Sequence, residues 1–203
     1  MFAQVIQGRA TDADAVMRQM EAWDRDLKPG AEGFLGSTAG VSDDGRFFAI
    51  ARFESDDAAR RNSDRPEQGR WWSETERHLE DVTFHDCAQV DEWSGGGSDD
   101  AGFVQVILGR VSDVEAVRAL MREMETELAG MRPDLIGGVT AWFSDDPGAS
   151  CDVLYFTSEE EARRGEKEMG ESADAAEAMQ RMEGLVVGEP TFVDLRNPRF
   201  SSP

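Results

Sequence analysis

The chain contains two copies of one sequence pattern, and this internal repeat constrains its fold more than any other feature. The segment FAQVIQGRATDADAV (Phe2–Val16) matches FVQVILGRVSDVEAV (Phe103–Val117) at nine of fifteen positions. Further matches follow in the same order: Ser-Asp-Asp at 42–44 and 144–146, acidic segments that begin at Phe53 and Phe156, and Thr-Phe-X-Asp at 83–86 and 191–194. Because a repeat of this kind marks one structural unit, the sequence predicts two similar units in tandem.

Each copy is predicted to contain strand, helix, strand, strand, helix and strand, in that order. The predicted strands of the first copy are Phe2–Arg9, Phe34–Val41, Phe47–Phe53 and Val82–Val90. Its first helix is predicted to start at Thr11; the second starts at Ser55, breaks near Arg65-Pro66 and resumes to Leu79. In the second copy, Ser112 with Glu115 and Ser158 with Glu161 fit capping boxes at two helix starts.

Apolar residues recur at helical spacing along the first helix of each copy. The first copy has Val16, Met20, Trp23 and Leu27, and the second has Val117, Met121, Met124 and Leu128. A stripe of this kind is typical of a helix face that packs on a core.

The element order is that of a ferredoxin-like unit, so the predicted fold class is α+β with antiparallel sheets. The predicted domains are residues 1–93 and 102–203, joined by a Gly/Ser-rich linker at 94–101 that contains Ser94-Gly95-Gly96-Gly97-Ser98. The helices of such a unit cover one sheet face only, and an exposed apolar sheet face would aggregate. We therefore expect the two units to bury these faces against each other within one chain. The chain would then be a monomeric pseudo-dimer, or at most a weak homodimer through its outer surfaces.

The formal net charge of -21 excludes two classes of partner. Nucleic acids and anionic membranes both require a basic surface, which this composition does not provide. The apolar segments are of strand length and the N-terminus lacks the features of a secretory signal, so we expect a cytoplasmic protein. Cys87 and Cys151 fit no metal-ligand spacing and are predicted to be core residues. No Gly-rich nucleotide loop follows a strand, so no flavin or nicotinamide cofactor is expected. No cluster of His and carboxylates has metal-ligand spacing, so no metal is expected either.

These features together resemble the dimeric α/β-barrel superfamily, and most closely its antibiotic-biosynthesis monooxygenase branch. The resemblance covers Phe2–Trp93 and Phe103–Leu195 and rests on element order, length and the pattern of the first strand. Members are usually homodimers of one unit, so this chain resembles a fused version. The branch includes cofactor-free oxygenases of aromatic polyketides, haem-degrading enzymes and members without known activity. Haem-degrading members carry Asn on the first strand, where this chain has Gln4 and Gln7, so haem degradation is disfavoured.

The two copies differ in residues that could perform chemistry. His78, His85, Trp71 and Trp72 all lie in the first copy. The matching region of the second copy is rich in Ala and Met, with Val193 in place of His85: Ala175, Ala176, Met179 and Met182. Features found in one copy only are candidates for function, because the fold itself does not require them.

The leading hypothesis is a cofactor-independent monooxygenase that acts on a small aromatic, polyketide-like compound. His78 or His85 would act as the base toward a phenolic hydroxyl, since an ordinary histidine titrates near neutrality. Trp71 and Trp72 would stack on the ring, Arg52 would stabilise developing negative charge, and Asn62 would line the mouth of the pocket.

Each of these residues also has a structural interpretation. The tryptophans fit a helix core, His78 a solvated helix end, His85 a hydrogen-bonded core position and Asn62 a turn. Two other functions therefore stay open. One is a non-catalytic ligand-binding or stress-associated module whose cavity holds a small hydrophobic compound. The other is a structural pseudo-dimer without a pocket.

Overall fold

A computed structural model describes the backbone of residues 1–203 and all side chains except those of 126–129, 173–175 and 178. The predicted contributions of Leu128 and Ala175 lie outside the described side chains.

The elements of the first repeat follow the predicted order closely. They are β1 (Phe2–Ala10), α1 (Ala13–Asp26), β2 (Phe34–Val41), β3 (Arg46–Phe53), α2 (Asp56–Ser63), α3 (Pro66–Thr75), β4 (Leu79–Cys87) and β5 (Gln89–Trp93). Short 3₁₀ turns at Lys28–Gly30 and Glu76–His78 follow α1 and α3. The second repeat contains β6 (Phe103–Arg110), α4 (Val114–Met131), β7 (Leu135–Trp142), β8 (Ala149–Phe156), α5 (Glu159–Glu171), α6 (Ala173–Glu183), β9 (Thr191–Leu195) and β10 (Arg199–Ser201).

The strands form two antiparallel sheets, which confirms the α+β fold class and the tandem arrangement of two sheet-and-helix units. The first sheet has the order β10-β2-β3-β1-β4, and the second has the order β5-β7-β8-β6-β9. The sequence predicts four strands in each sheet, and the structure adds a fifth. In both cases the fifth strand lies in the chain that follows the last strand of the other repeat. The compact units consequently comprise residues 1–90, 143–145 and 197–203 for the first, and 91–142 and 146–196 for the second.

Strand register fixes which side chains share a face of the first sheet. Ile6 pairs with Ala49 and Phe84, and these residues face the helices. The neighbouring position Val5 pairs with Ile50 and His85. Because side chains alternate along a strand, that trio lies on the opposite face of the sheet.

Three local predictions at element ends need correction. The helix predicted to reach Leu79 ends at Thr75, and the last strand of the first copy starts at Leu79 and is interrupted after Cys87. At the start of α4, Asp113 rather than Ser112 caps the helix, because Asp113 Oδ1 accepts a hydrogen bond from the N–H of Ala116 at 3.0 Å. Ser112 Oγ instead donates to the carbonyl of Leu185.

The capping residue predicted at Ser158 is confirmed. Its hydroxyl accepts a hydrogen bond from the N–H of Glu161 at the start of α5. Among the described residues, no helix is long and apolar enough to cross a membrane.

Deleting residues 197–203 is expected to destabilise the first unit, because these residues supply β10 to the edge of β2. Ser201 Oγ donates to Asp24 at 2.5 Å, and Lys28 Nζ donates to the carbonyl of Ser202 at 2.9 Å. Two hydrogen bonds worth about 1 kcal/mol each give an expected loss on the order of 2 kcal/mol, before the β-pairing is counted. Urea denaturation measures this loss. Removal of Pro203 alone is the control, and equal midpoints for the long deletion and the control would contradict the expectation.

Candidate functional site

Each unit contains a cavity in the same structural position, between the helix-side face of its sheet and the helices that cover it. The first cavity has a volume of about 90 Å³ and the second about 490 Å³. The positions correspond residue by residue, since Ile6, Met20 and Ala51 line the first cavity where Ile107, Met121 and Leu154 line the second.

Aromatic side chains form much of the wall of the first cavity. The rings of Trp23 and Phe34 lie 5.0 Å apart, and those of Trp23 and Trp71 lie 6.5 Å apart. Trp72 continues this surface, with its ring 5.9 Å from that of Trp71. Tilted contacts at these distances are favourable between aromatic rings, so the tryptophans are packed on each other as well as exposed to the cavity.

Several polar groups at this wall have hydrogen-bond partners in the protein, whereas the buried Nε of Arg199 has none among the described residues. Trp23 Nε1 donates to Gln68 Oε1 at 2.8 Å, and Trp71 Nε1 donates to the carbonyl of Gln19 at 2.8 Å. Asn62 is buried, and its Oδ1 accepts a hydrogen bond from Arg65 at 2.9 Å. Asn62 therefore lines the cavity and also stabilises the turn between α2 and α3, which joins its two predicted roles.

Asp24 brings a carboxyl group to the first cavity, but its pKa is lowered. Burial alone would raise the pKa, and hydrogen bonds from Ser201 and Lys28 outweigh that effect. A carboxylate held in this way is a weak proton acceptor at neutral pH.

The structure brings three of the six predicted site residues to the first cavity and leaves three away from it. Trp71, Trp72 and Asn62 are among the residues that line it. His78, His85 and Arg52 are not among them.

His85 lies on the opposite face of the sheet from the first cavity. Its Nδ1 is 3.1 Å from a carboxylate oxygen of Asp145, and its ring stacks on Phe143 with a centroid separation of 4.1 Å. The side chain is 21% exposed. The ring is thus held by one charged and one aromatic neighbour in a half-buried position, not in the core.

His78 and Arg52 occupy two further places outside the cavity. His78 ends the 3₁₀ turn after α3 and is half-buried, and its carbonyl accepts a hydrogen bond from Thr11 at 2.9 Å. Arg52 pairs with Ala3 and Gly36 in the sheet, on the face opposite to Ala51. Its guanidinium lies close to Gly36, where a Cβ would be only 3.1 Å from Arg52 Nη2.

The second cavity is larger because smaller side chains replace aromatic ones at equivalent positions. Ser150 stands where the first unit has Phe47, and Met124 stands where it has Trp23. The described lining is largely apolar and rich in methionine: Trp93, Ile107, Val117, Met121, Met124, Leu135, Trp142, Leu154, Phe156, Met169, Met179, Met182, Val186 and Phe192. A flexible thioether wall of this kind adapts to ligands of varied shape.

Asp152 is a functional candidate that the sequence interpretation missed. Its side chain lines the second cavity on β8, and Oδ1 accepts a hydrogen bond from Thr140 Oγ1 at 2.6 Å. Burial raises the pKa of this carboxyl from 3.8 to about 6, and the Thr140 hydrogen bond opposes the rise only in part. The Asp152 side chain is half-buried. Because protein surrounds the carboxyl group, its exposed part faces the cavity rather than bulk solvent.

A signal for Asp152 is present in the repeat itself. The register pairs Asp152 with Ile107 and Thr140, and the equivalent positions of the first sheet pair Ala49 with Ile6 and Ala39. The other copy has alanine at this core position, so the fold does not require a carboxylate there.

A buried ion pair lies near the same cavity. The side chains of Arg132 and Asp134 are 6% and 7% exposed, and two N–H···O contacts of 3.0 and 2.8 Å join them. Arg132 also donates to the carbonyl of Ala162 and lies 5.4 Å from the ring centre of Phe156. In the part of the chain whose side chains are described, no three His, Cys, Asp or Glu residues are grouped to hold a metal ion.

No protein-family model matches the chain, and no curated protein matches it in sequence. Solved structures match it along its whole length. A provisionally assigned monooxygenase from Lactobacillus acidophilus NCFM is 15% identical with a TM-score of 0.75, covering 99% of this chain and 96% of that one. An anthrone oxidase-like protein is 12% identical with a TM-score of 0.66, covering 100% and 94%.

A third similar structure is an uncharacterised ferredoxin-fold protein from Listeria monocytogenes 4b F2365 that is related to antibiotic biosynthesis monooxygenases. It is 11% identical with a TM-score of 0.50, and the match covers 100% of this chain and 95% of that one. At these identities the comparisons establish a shared fold.

Proposed function

We propose that this chain, which has the ferredoxin-like fold of proteins related to antibiotic biosynthesis monooxygenases along its whole length, is an oxygenase of a small aromatic compound. The observation that carries the proposal is the cavity between the first sheet and α3, with Trp23, Trp71 and Trp72 in its wall. Aromatic walls favour flat ring compounds, because offset and tilted ring contacts add to the gain from apolar burial.

The proposed reaction needs dioxygen as its co-reactant and no organic cofactor or metal. A base removes a proton from an activated CH₂ or phenolic group, and the electron-rich anion is oxidised by dioxygen. For an anthrone-like CH₂ group, one oxygen atom forms the C=O bond and the other leaves as water with both hydrogens. The substrate supplies all the electrons, so no external reductant is required. Exclusion of water by the apolar cavity would protect the anion.

In this proposal Trp71 and Trp72 bind the ring, and Asn62 orients it at the mouth. A cavity of about 90 Å³ is smaller than the roughly 150 Å³ known to hold benzene. Entry of a ring therefore requires a wall side chain to move. Gln68 is the candidate for this movement, because its side chain is half-buried at the wall. Its displacement would break the hydrogen bond that its carboxamide accepts from Trp23.

Trp72→Leu is expected to lower kcat/KM for an oxidised aromatic by about tenfold, since a ring contact and its buried area are lost. The assay is oxygen uptake with a panel of anthrones and hydroxylated aromatics. Val187→Ala, which changes an exposed apolar residue outside both cavities, is the control and should leave the rate unchanged. Unchanged activity in Trp72→Leu, or an equal loss in both variants, would contradict the assignment to the first cavity.

The roles of His78 and His85 as bases, and of Arg52 as a stabiliser of negative charge, are separate parts of the proposal. None of these residues lines the first cavity, and His85 and Arg52 lie on the opposite face of the sheet. A role for His78 therefore requires a substrate that extends beyond the cavity, and roles for His85 and Arg52 require a separate binding position on that opposite face. A base role predicts that His78→Ala or His85→Ala abolishes turnover and retains binding. Unchanged turnover in both single variants and in the double variant would remove the histidines from the mechanism.

A second candidate function is binding without turnover. The observation that favours it is that the indole N–H groups of Trp23 and Trp71 are engaged with protein partners and that the pKa of Asp24 is lowered. Saturable binding of aromatic compounds without oxygen uptake by any of them would establish this function instead.

A further inference from the structure

The second unit contains a carboxyl group for which the proposed function above has no use. Asp152 faces a cavity of about 490 Å³, within the 300–1,000 Å³ that ligand pockets usually occupy. The hydroxyl of Thr140 contacts one of its oxygens at 2.6 Å. A carboxylate has about four acceptor sites, so this contact leaves acceptor capacity directed at the cavity.

The fold does not require this acidic group. The first unit builds the same two strand positions from Ala39 and Ala49, which pair in the same register. Burial of a carboxylate costs free energy unless hydrogen bonds or opposite charges compensate it. The second unit therefore bears a cost that the first avoids, and a ligand with a donor group would offset it.

The other charged residues at the cavity do not neutralise Asp152. They are Arg110, Arg132 and Glu183. Arg110 pairs with Asp146 at 2.5 Å, and Arg132 pairs with Asp134. Glu183 has the same sign of charge as Asp152, so it cannot supply the missing cation. The raised pKa of Asp152 agrees with this arrangement, since burial is its main cause.

The shape and lining of the cavity define the class of ligand. Its volume accommodates two or three fused rings, and its wall is formed largely by apolar and methionine side chains. A buried acceptor at this point of a largely apolar wall selects a compound with one well-placed donor. A fused-ring aromatic with a hydroxyl group fits both conditions.

We propose that the second unit holds a ligand site of its own, in which Asp152 accepts the hydroxyl proton of a fused-ring aromatic compound. In the bound state the ligand O–H donates to the carboxylate of Asp152, while the Thr140 hydroxyl keeps its hydrogen bond to Oδ1 of the same carboxylate. When the proton moves, the ligand O–H bond breaks, an O–H bond forms on Asp152, and the ligand becomes an aryl-oxide anion. No oxidant is needed for this step. Binding at this site does not depend on a reaction with dioxygen, so it can be tested separately from the proposed function.

The experiment compares 2-naphthol with 2-methoxynaphthalene, which has nearly the same shape and no donor. Calorimetric titration of the full chain from pH 4.5 to 8 gives the affinity ratio of the two probes. We expect naphthol to bind roughly ten- to a hundredfold more tightly than its ether at pH 8, because a hydrogen bond to a charged acceptor is a strong one. The ratio should fall as Asp152 is protonated at acidic pH.

Two variants separate a ligand role from a structural one. Asp152→Asn should reduce the ratio to below about threefold and remove its pH dependence. Thr140→Val should shift the midpoint of the pH dependence upward, because the hydrogen bond that opposes the raised pKa is lost. Trp72→Leu alters the first cavity, so it should remove any binding of the probes there and leave the probe ratio of the second site, the one that depends on Asp152, unchanged. Failure of the proposed function and failure of this inference therefore give different results.

An affinity ratio that is the same in wild type and Asp152→Asn would overturn the inference. So would a wild-type chain that binds neither naphthalene probe at high concentration, since the cavity would then admit no fused-ring ligand.

Discussion

Replacing Asp134 with alanine is expected to lower the free energy of unfolding by about 3–5 kcal/mol, because it leaves the buried guanidinium of Arg132 without its partner. Among the described residues, Arg132 also contacts the carbonyl of Ala162 and the ring of Phe156, and neither of these neutralises a charge. The guanidinium also cannot retreat freely, since α5 lies against it; a Cβ at Gly165 would be 2.3 Å from Arg132 Nε. Urea denaturation at pH 7 measures the change.

Two control variants test whether the loss of stability comes from an unpaired buried charge. Replacing both partners with apolar residues, as Arg132→Met with Asp134→Leu, should cost much less than the single change. Glu74→Ala breaks the exposed contact of Glu74 with Arg77 at 2.8 Å and should change stability by no more than about 0.5 kcal/mol. A single-variant loss as small as that of Glu74→Ala would show that Arg132 finds solvent in the folded chain.

Asp152→Asn is expected to remove a pH-dependent destabilisation of about 3 kcal/mol. The pKa of Asp152 is raised from 3.8 to about 6 by burial, so the folded chain holds this proton more tightly than the unfolded chain does. Stability from this group is fully present below pH 3.8 and is lost as the pH rises through 6. At pH 8 the wild-type chain must keep a buried carboxylate, and the asparagine variant need not.

The measurement is the difference in unfolding free energy between wild type and Asp152→Asn across pH 4 to 8. The difference should increase in favour of the variant as the pH rises, and then level off above pH 7. Subtraction cancels the carboxylates that both chains share, such as Asp44, whose pKa is lowered to about 2 chiefly by hydrogen bonds from Arg46 and Ser42. A difference that stays constant with pH would mean that Asp152 is ionised normally in the folded chain.

The repeat and the element order are predictable from the sequence because they depend on apolar periodicity and turn residues that occur twice. The sequence does not determine an element boundary where two local signals compete. Ser112 and Asp113 are both good capping residues, and only the backbone path shows that Asp113 is used. The fifth strands were not predictable, because β10 has three residues and its partner strand lies in the other repeat.

The candidate site was predictable only in part. Trp71 and Trp72 lie on helix α3, whose apolar side must face the sheet, so their approach to the first cavity follows from periodicity. His85 belongs to a strand, where a shift of one residue changes the face, and its register with Val5 turns it away from the helices. Asp152 is not predictable as a proton acceptor from the sequence, because an isolated aspartate titrates far below neutrality. Its pKa rises to about 6 only through burial.

The pairing of Arg199 with Ala39 has a consequence for the order in which the protein is made. Ribosomes synthesise chains from the N-terminus at about 5–20 residues per second. About 5 to 20 seconds therefore pass between completion of the first repeat and synthesis of β10. During that interval the nascent β2 has an edge without its final partner, whereas β5 is synthesised before the β7 edge that it covers. A nonsense mutation at or just before the codon for Arg199 would therefore damage the half of the protein that was translated first.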